Sequence, residues 1–334
     1  MFNVIVNKEY ELLFERLKAE APDSFVLSLA DFSHPDEKLN VLLGKADAII
    51  GQVNPSDSQY ETAGRLRIIQ TMSAGYDRID LAKAKHHNVL VASNNGANAV
   101  SVAEHVLMQI FVLYRQLLFH HRSVTSGPWK NLKHRNKELA GKTLGIYGLG
   151  RIGKALAQRA VALGVKVQYF DVVRQSEAEK EWGLKYLFPE ELLSSSDIIS
   201  YHLPKTSFTH HLINRNSLRK MRPDALLINS SRGYIQDENA IYEALTSGQI
   251  SAAGLDVFEV EPLPENSPLR KLENVVLTPH SAPDNESLIL AVRNALDNLL
   301  RVSNGNEPQS IAVDHEEVTR QFLERFPEVK LTAS

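Results

Sequence analysis

The sequence predicts an α/β protein with two domains, each wound around a parallel sheet. Three observations carry that expectation. Short apolar runs alternate with amphipathic helical stretches, the pattern of βαβ units rather than of an antiparallel sandwich. That rhythm runs twice along the 334 residues, a length that suits two domains at roughly 100 to 200 residues each. A glycine-rich turn then opens the second round.

In the first round, residues 2–6, 25–29, 48–51, 66–70 and 89–91 read as strands, with helical patterns between them, as over residues 10–19. A long helical pattern over residues 99–120 leads into a second series of strands at 143–147, 166–170, 198–202, 226–230, 253–257 and 275–278. After Pro283 the alternation stops. One amphipathic helix over residues 285–302 follows, then a polar tail rich in Glu that carries no clear signal. A lone helix cannot bury its apolar face unaided, so it must dock on a domain already built.

Composition narrows the chemistry. Hydrophobic residues make up 43% and charged residues 23%, as in an ordinary folded chain. With 37 basic against 40 acidic residues the net charge is −3, which gives no general attraction for nucleic acid or anionic lipid. The absence of cysteine removes disulfides, thiolate nucleophiles, thiolate-bound zinc and cysteine-ligated iron–sulfur clusters, and no metal site is expected. The N-terminal apolar run is too short for a secretion signal, and no stretch reaches about 18 apolar residues. Lys330-Leu331-Thr332-Ala333-Ser334 matches no retrieval or peroxisomal address. The expectation is a cytoplasmic protein with no membrane partner.

Gly148-Leu149-Gly150-Arg151-Ile152-Gly153 follows one predicted strand and opens a helix, and Asp171 closes the next strand 18 residues after Gly153. Strand, glycines, helix and acidic residue stand in the order that dinucleotide binding requires. Gly148 permits the tight turn, Gly150 lets backbone approach a pyrophosphate, and Gly153 lets helix and strand pack closely. The helix N-terminus offers N–H groups to the phosphates. A carboxylate at Asp171 can accept from both adenosine ribose hydroxyls and would repel a 2′-phosphate, so NAD is expected; Arg174 nearby leaves NADP as the alternative.

Three further segments end predicted strands: Asn229-Ser230-Ser231-Arg232-Gly233, Gly254 through Pro262, and Leu277-Thr278-Pro279-His280-Ser281. That is the sheet edge where open α/β folds place ligands. An arginine there can clamp a carboxylate and polarise a neighbouring carbonyl. A histidine can supply the proton that accompanies hydride arrival at carbon. A glutamate beside the histidine fixes its tautomer and stabilises the protonated ring, and by spacing either Glu259 or Glu261 could serve. Taken one at a time, Arg232 also reads as a salt-bridge residue, His280 as one structural histidine among 12, and Asp256 as a strand-end cap.

On these motifs the chain resembles the D-isomer-specific 2-hydroxyacid dehydrogenase family over residues 40–305, matched by Gly148 to Gly153 with Asp171, by Asn229 to Gly233, by Asp256 to Pro262 and by Thr278-Pro279-His280. The resemblance implies Rossmann-like and flavodoxin-like domains with an active-site cleft between them. Residues 1–97 plus 284–334 would form the substrate domain and 98–283 the NAD-binding domain. Arg232 would orient and polarise the substrate, His280 would act as acid/base and Glu261 as its partner, leaving Glu259 as a surface residue. Asp256 would lie at the nicotinamide, Arg151 and Ile152 would meet the pyrophosphate by backbone, and Pro204, Thr209 and Ser231 would line the cofactor cleft. Ser73, Ala74 and Gly75 would hold the substrate carboxylate through backbone N–H groups. A homodimer is implied, with Val102, Val106, Met108, Phe111 and Leu113 as either its face or plain core.

The activity so implied is hydride transfer between NAD(H) and C2 of a small 2-oxo or 2-hydroxy acid. Gln52-Val53-Asn54-Pro55 lacks the basic side chain that a phosphorylated substrate would want, and Thr71 to Gly75 is similar to glyoxylate/hydroxypyruvate reductases. Phosphoglycerate or phosphite oxidation and an NAD-sensing corepressor-like role are the alternatives.

Overall fold

A computed structural model describes residues 1–94, 96–127, 129 and 136–331; Thr332 to Ser334 of the C-terminal segment lie outside the described residues. The chain divides into two compact units, Met1–Asn98 with Pro283–Asp314, and Ala99–Ala282 with His315–Ser334.

The first unit holds strands β1 (Phe2–Asn7), β2 (Phe25–Ala30), β3 (Ala48–Ile50), β4 (Ile68–Gln70) and β5 (Leu90–Ala92). They form one parallel sheet in the order β2-β1-β3-β4-β5, the flavodoxin-like order. Side chains alternate across it. Val4, Val6, Ala48, Ile50 and Ile68 bury against Ala291, Val292, Ala295, Leu296 and Leu299 of the helix Asn285–Ser303. Ile5, Ile49, Ile69 and Val91 face the opposite layer with Leu39, Leu43 and Tyr60. Both faces are covered, which is why these strands are mostly apolar. Asp284 caps the late helix, and Asn298 Nδ2 donates to Gln70 Oε1 at 2.8 Å, so the helix is keyed to this sheet by polar contacts as well.

The second unit holds β6 (Thr143–Tyr147), β7 (Lys166–Phe170), β8 (Lys185–Tyr186), β9 (Ile198–Tyr201), β10 (Leu226–Asn229), β11 (Ala252–Leu255) and β12 (Val275–Leu277). The order is β12-β11-β10-β9-β6-β7-β8, every pair parallel. The order reverses between β6 and β9, the switch point at which a dinucleotide binds in such sheets. Leu144, Ile146, Val167, Tyr169, Ile198, Leu226 and Ile228 pack on one face, with Val106 and Ile110 of the helix Ala99–Tyr114.

Three elements depart from the sequence expectation. The single helix expected over residues 99–120 is two, Ala99–Tyr114 and Leu117–Thr125, because Gln116 takes a left-handed conformation at φ 48°. β8 is a two-residue edge strand that the pattern did not mark. The polar tail contains a helix, His315–Arg325, and belongs with the second unit rather than with the first. Phe322 is buried there in the cluster with Phe170, and the two rings meet edge to face at 5.7 Å.

Among the described residues, no single helix is long and apolar enough to cross a membrane. Val102 and Val106 of the long helix are buried whereas Met108 and Phe111 are exposed, so the apolar face singled out from the sequence is divided between core and surface.

Candidate active site

The glycine-rich turn joins β6 to the helix Arg151–Ala162. Gly148 has φ +98°, and a Cβ there would lie 2.3 Å from the carbonyl oxygen of His202 at the end of β9. A Cβ on Gly153 would lie 2.3 Å from the Gly148 carbonyl oxygen. These two glycines allow backbone to close on backbone. Gly150 differs: a Cβ there would meet nothing within 4 Å, so this glycine leaves open space above the turn. Gly150 is also the N-cap residue of this helix and makes no side-chain cap hydrogen bond.

Asp171 stands just past β7 and is tied into that turn. Its Oδ2 accepts from Leu149 N–H at 2.7 Å and its Oδ1 from Val173 N–H at 2.9 Å. Burial raises its pKa above the ordinary carboxylate range, opposed by those amides and by Lys154. Arg174, the residue that made the cofactor ambiguous, makes a two-pronged contact with Glu179 at 2.9 Å on both oxygens and lies over the Tyr186 ring.

After β9 the chain runs through Pro204 to a short turn, Ser207–Thr209, whose Thr209 hydroxyl donates to the Pro204 carbonyl at 2.9 Å. Thr206 and Thr209 cap one another. His202 begins this segment; its Nε2 meets the Ser200 hydroxyl at 2.9 Å, and its buried Nδ1 has no partner among the described residues. Burial lowers its pKa to about 4, against about 6.5 for an ordinary histidine in the unfolded chain. Unfolding therefore takes up a proton between those values, so stability is complete above about pH 6.5 and falls as the pH drops towards 4. Between pH 8 and pH 5 this residue is expected to remove about 2 kcal/mol. Urea unfolding at the two pH values measures it, and His202→Gln should flatten the slope by that amount; an unchanged slope would contradict the assignment.

Arg232, Asp256, Glu261 and His280 are brought together beyond β10, β11 and β12. Ser231 is buried against Asn229, whose Oδ1 accepts from both its N–H and its hydroxyl. One Arg232 guanidinium N–H donates to the Ser231 carbonyl at 2.7 Å. Gly233 then touches the next segment so closely that a Cβ would sit 1.8 Å from the Phe258 carbonyl oxygen. Phe258 N–H donates to Glu261 Oε1 at 3.0 Å, and Glu261 Oε2 lies 2.9 Å from His280 Nδ1. Geometry thus separates the two glutamates: Glu261 meets His280, while Glu259 pairs with His211 at 2.6 Å.

Asp256 is completely buried. Its carboxylate accepts from the Thr278 hydroxyl at 2.6 Å, Ser281 N–H at 2.9 Å and Ala282 N–H at 3.1 Å, while its carbonyl accepts from His280 N–H at 2.8 Å. His280 is held between these contacts at φ 50°, a left-handed conformation that disfavours a side chain by about 1–2 kcal/mol. Its ring remains nearly half exposed, at 47%. His105, which spacing did not single out for chemistry, lies 3.5 Å from Asp256 and 3.1 Å from the Thr278 hydroxyl. Burial lowers the His105 pKa, opposed by the Asp256 charge. Only a residue-to-residue contact across 151 positions reveals this partner, and no local motif marks it.

In the first unit, Ser73, Ala74 and Gly75 follow β4. Ser73 Oγ accepts from Gln52 Nε2 and donates to the Gly75 carbonyl, both at 2.9 Å. The carbonyl of Ser73 accepts from the Thr71 hydroxyl at 2.6 Å and from Asn94 N–H at 2.9 Å. The turn is therefore fixed through its oxygens, while none of its three N–H groups donates a hydrogen bond among the described residues. No group of three or more His, Asp or Glu residues suited to a metal occurs among the described residues.

A doubly wound parallel sheet with an open glycine turn at its switch point, followed by an arginine, a glutamate and a histidine at successive strand ends, defines a dinucleotide-dependent oxidoreductase. Residues 107–282 match the model for the NAD binding domain of the D-isomer specific 2-hydroxyacid dehydrogenases. The chain is 37% identical to a glyoxylate reductase of Korarchaeum cryptofilum over 306 residues, 89% of this chain and 92% of that one. It is 41% identical to a hydroxypyruvate reductase of Thermotoga maritima, over 66% of this chain and 72% of that one. The crystal structure of D-lactate dehydrogenase from Aquifex aeolicus complexed with NAD and lactic acid superposes with a TM-score of 0.76 at 30% identity, covering 91% of this chain and 96% of that one.

The chain belongs to the D-isomer specific 2-hydroxyacid dehydrogenase family and is an NAD-dependent enzyme of that class. The residues present fit NAD: open space lies above Gly150, the helix N-cap is a glycine with no side chain to fill that space, and the cation beside Asp171 is engaged by Glu179.

Proposed function

We propose that the protein reduces a small unphosphorylated 2-oxo acid of the glyoxylate or hydroxypyruvate type with NADH, giving the D-hydroxy acid where a stereocentre forms. The observation that carries this reading is the His280–Glu261 pair, 2.9 Å apart and fixed from both sides by backbone. With Nδ1–H donating to Glu261, Nε2 is the nitrogen that faces the substrate and gives its proton to the oxygen developing at C2. Arg232 binds the substrate carboxylate and polarises the carbonyl. The Ser73-Ala74-Gly75 turn offers backbone N–H donors suited to a carboxylate. Asp256 acts on His280 by holding residues 278–282 in place.

The glycine turn with Arg151 and Ile152 holds the pyrophosphate, Asp171 the adenosine ribose, and Pro204, Thr209 and Ser231 the remainder of NAD. When bound, the nicotinamide supplies the hydride. Residues 1–97 with the helix Asn285–Ser303 serve as substrate domain and residues 98–283 as nucleotide domain on this reading. Exposed Val100, Met108, Phe111, Leu117 and Leu118 give a second copy an apolar face, and light scattering in solution should report a dimer.

Initial rates of NADH oxidation with glyoxylate, hydroxypyruvate, pyruvate and a phosphorylated 2-oxo acid test the reading. The two small acids named first should be turned over fastest, and the loop Gln52 to Pro55, which carries no cation, should leave the phosphorylated acid a poor substrate. Turnover of none of them, or oxidation of phosphite instead, would sink it. Asp171→Ala is expected to lower the preference for NADH over NADPH in kcat/KM by about tenfold or more, the weight of a hydrogen bond to a charged group. An unaltered preference would remove Asp171 from cofactor selection.

A further inference from the structure

Residues 310–316 leave the first unit and enter the second, and both ends of this stretch are anchored beside loops that the proposed function uses. In the first unit, Ser93 N–H donates to the Ser310 carbonyl at 2.9 Å and Ala312 N–H to the Val91 carbonyl at 2.8 Å, which adds the segment to the β5 edge. Tyr76, the residue after Gly75, then grips Val313 twice: its hydroxyl donates to the Val313 carbonyl at 2.8 Å and accepts Val313 N–H at 3.2 Å. In the second unit, the carboxylate of Glu316 accepts from Ser207 through both the backbone N–H and the hydroxyl, the latter at 2.7 Å. Ser207 opens the turn whose Thr209 is bonded to Pro204.

The helix carrying Glu316 cannot drift from that position. Phe322 is buried against Phe170, Phe326 meets Phe188 at 6.1 Å, and the Tyr147 hydroxyl donates to the Leu331 carbonyl at 3.2 Å. Two residues separate Val313 from Glu316, a tether of three Cα steps and at most about 11 Å when fully extended. A carboxylate that accepts two hydrogen bonds from one loop residue, on a helix pinned by aromatic packing, fixes that loop more firmly than solvent would.

We propose that this strap is a positioning device, in which Glu316 holds the 204–209 loop in its cofactor-binding form and Val313 holds the Ser73-Ala74-Gly75 turn through Tyr76. The inference rests on the proposed roles of those two loops. Neither Glu316 nor Tyr76 touches reacting atoms in this account, so their removal acts on affinity rather than on the chemical step.

The test is NADH binding, followed by nucleotide fluorescence with the full-length protein, together with KM and kcat for the 2-oxo acid. Glu316→Ala should weaken NADH binding about tenfold with kcat for saturated enzyme preserved. Glu316→Gln should restore binding, because its amide can accept from Ser207 N–H and donate to Ser207 Oγ. Glu317→Ala, which removes contacts to Arg320 and Gln321 on the same helix, should bind NADH as the parent does. Tyr76→Phe should raise KM for the oxo acid and leave NADH binding unchanged. The proposal is overturned if Glu316→Ala binds NADH like the parent, if Glu317→Ala weakens it equally, or if the Gln variant fails to restore it. A parent protein that binds NADH but reduces no 2-oxo acid defeats the functional reading, and the binding comparison still decides the strap.

Discussion

His280→Ala is expected to lower kcat for 2-oxo acid reduction by about 10² to 10⁴, the usual worth of a positioned proton donor, with NADH affinity unchanged. The magnitude follows from how completely the ring is prepared. Glu261 takes Nδ1 at 2.9 Å and is itself fixed by Phe258 N–H. The backbone of His280 is held in a left-handed conformation by Asp256, whose carboxylate takes the next two amides. Two neighbouring histidines are engaged elsewhere: His105 is buried on Asp256 and His211 pairs with Glu259. Steady-state kinetics with an independent NADH titration checks the result, and a near-parental kcat would remove His280 from the mechanism.

Gly233→Ala should be the most damaging single methyl in the second unit. The added Cβ would lie 1.8 Å from the Phe258 carbonyl oxygen, 2.0 Å from its carbon and 2.7 Å from Glu259 N, all backbone atoms with no side chain to rotate away. Either Arg232 or the segment carrying Glu261 must move. Overpacking of this kind removes about 3 kcal/mol of stability, and a displacement of about 1 Å at a catalytic group lowers turnover roughly 10²-fold. Urea unfolding and kcat/KM should both fall in this variant. A protein as stable and active as its parent would show that the close approach of these segments is not needed.

The strands were legible because both faces of each sheet are covered, so most of them are short, largely apolar runs: β6 occupies residues 143–147 and β10 begins at residue 226 as read from the sequence. β8 was not, since two residues at an edge carry no pattern. Gln116 breaks the long helix without a glycine or proline to announce it. The tail helix was hidden because its own apolar content is sparse; it is stabilised by Phe170, about 150 residues away in sequence, and only tertiary packing reveals that. Within the site, residue types and order pointed to Arg232 and His280, Asp256 came in only through the family resemblance, and spacing left Glu259 and Glu261 equivalent until their partners, His211 and His280, were seen. Arg174 is similar: its charge was visible, its commitment to Glu179 was not.

The central claim is that this protein moves a hydride to C2 of a small 2-oxo acid while His280 protonates the oxygen. Hydroxypyruvate reduced with NADH carrying deuterium at both C4 positions of the nicotinamide tests it most directly, with the product analysed for label position and configuration. The account predicts D-glycerate carrying deuterium at C2, formed at least about 10²-fold more slowly by His280→Ala. Unlabelled product, the L isomer, or an equal rate from the variant would contradict it.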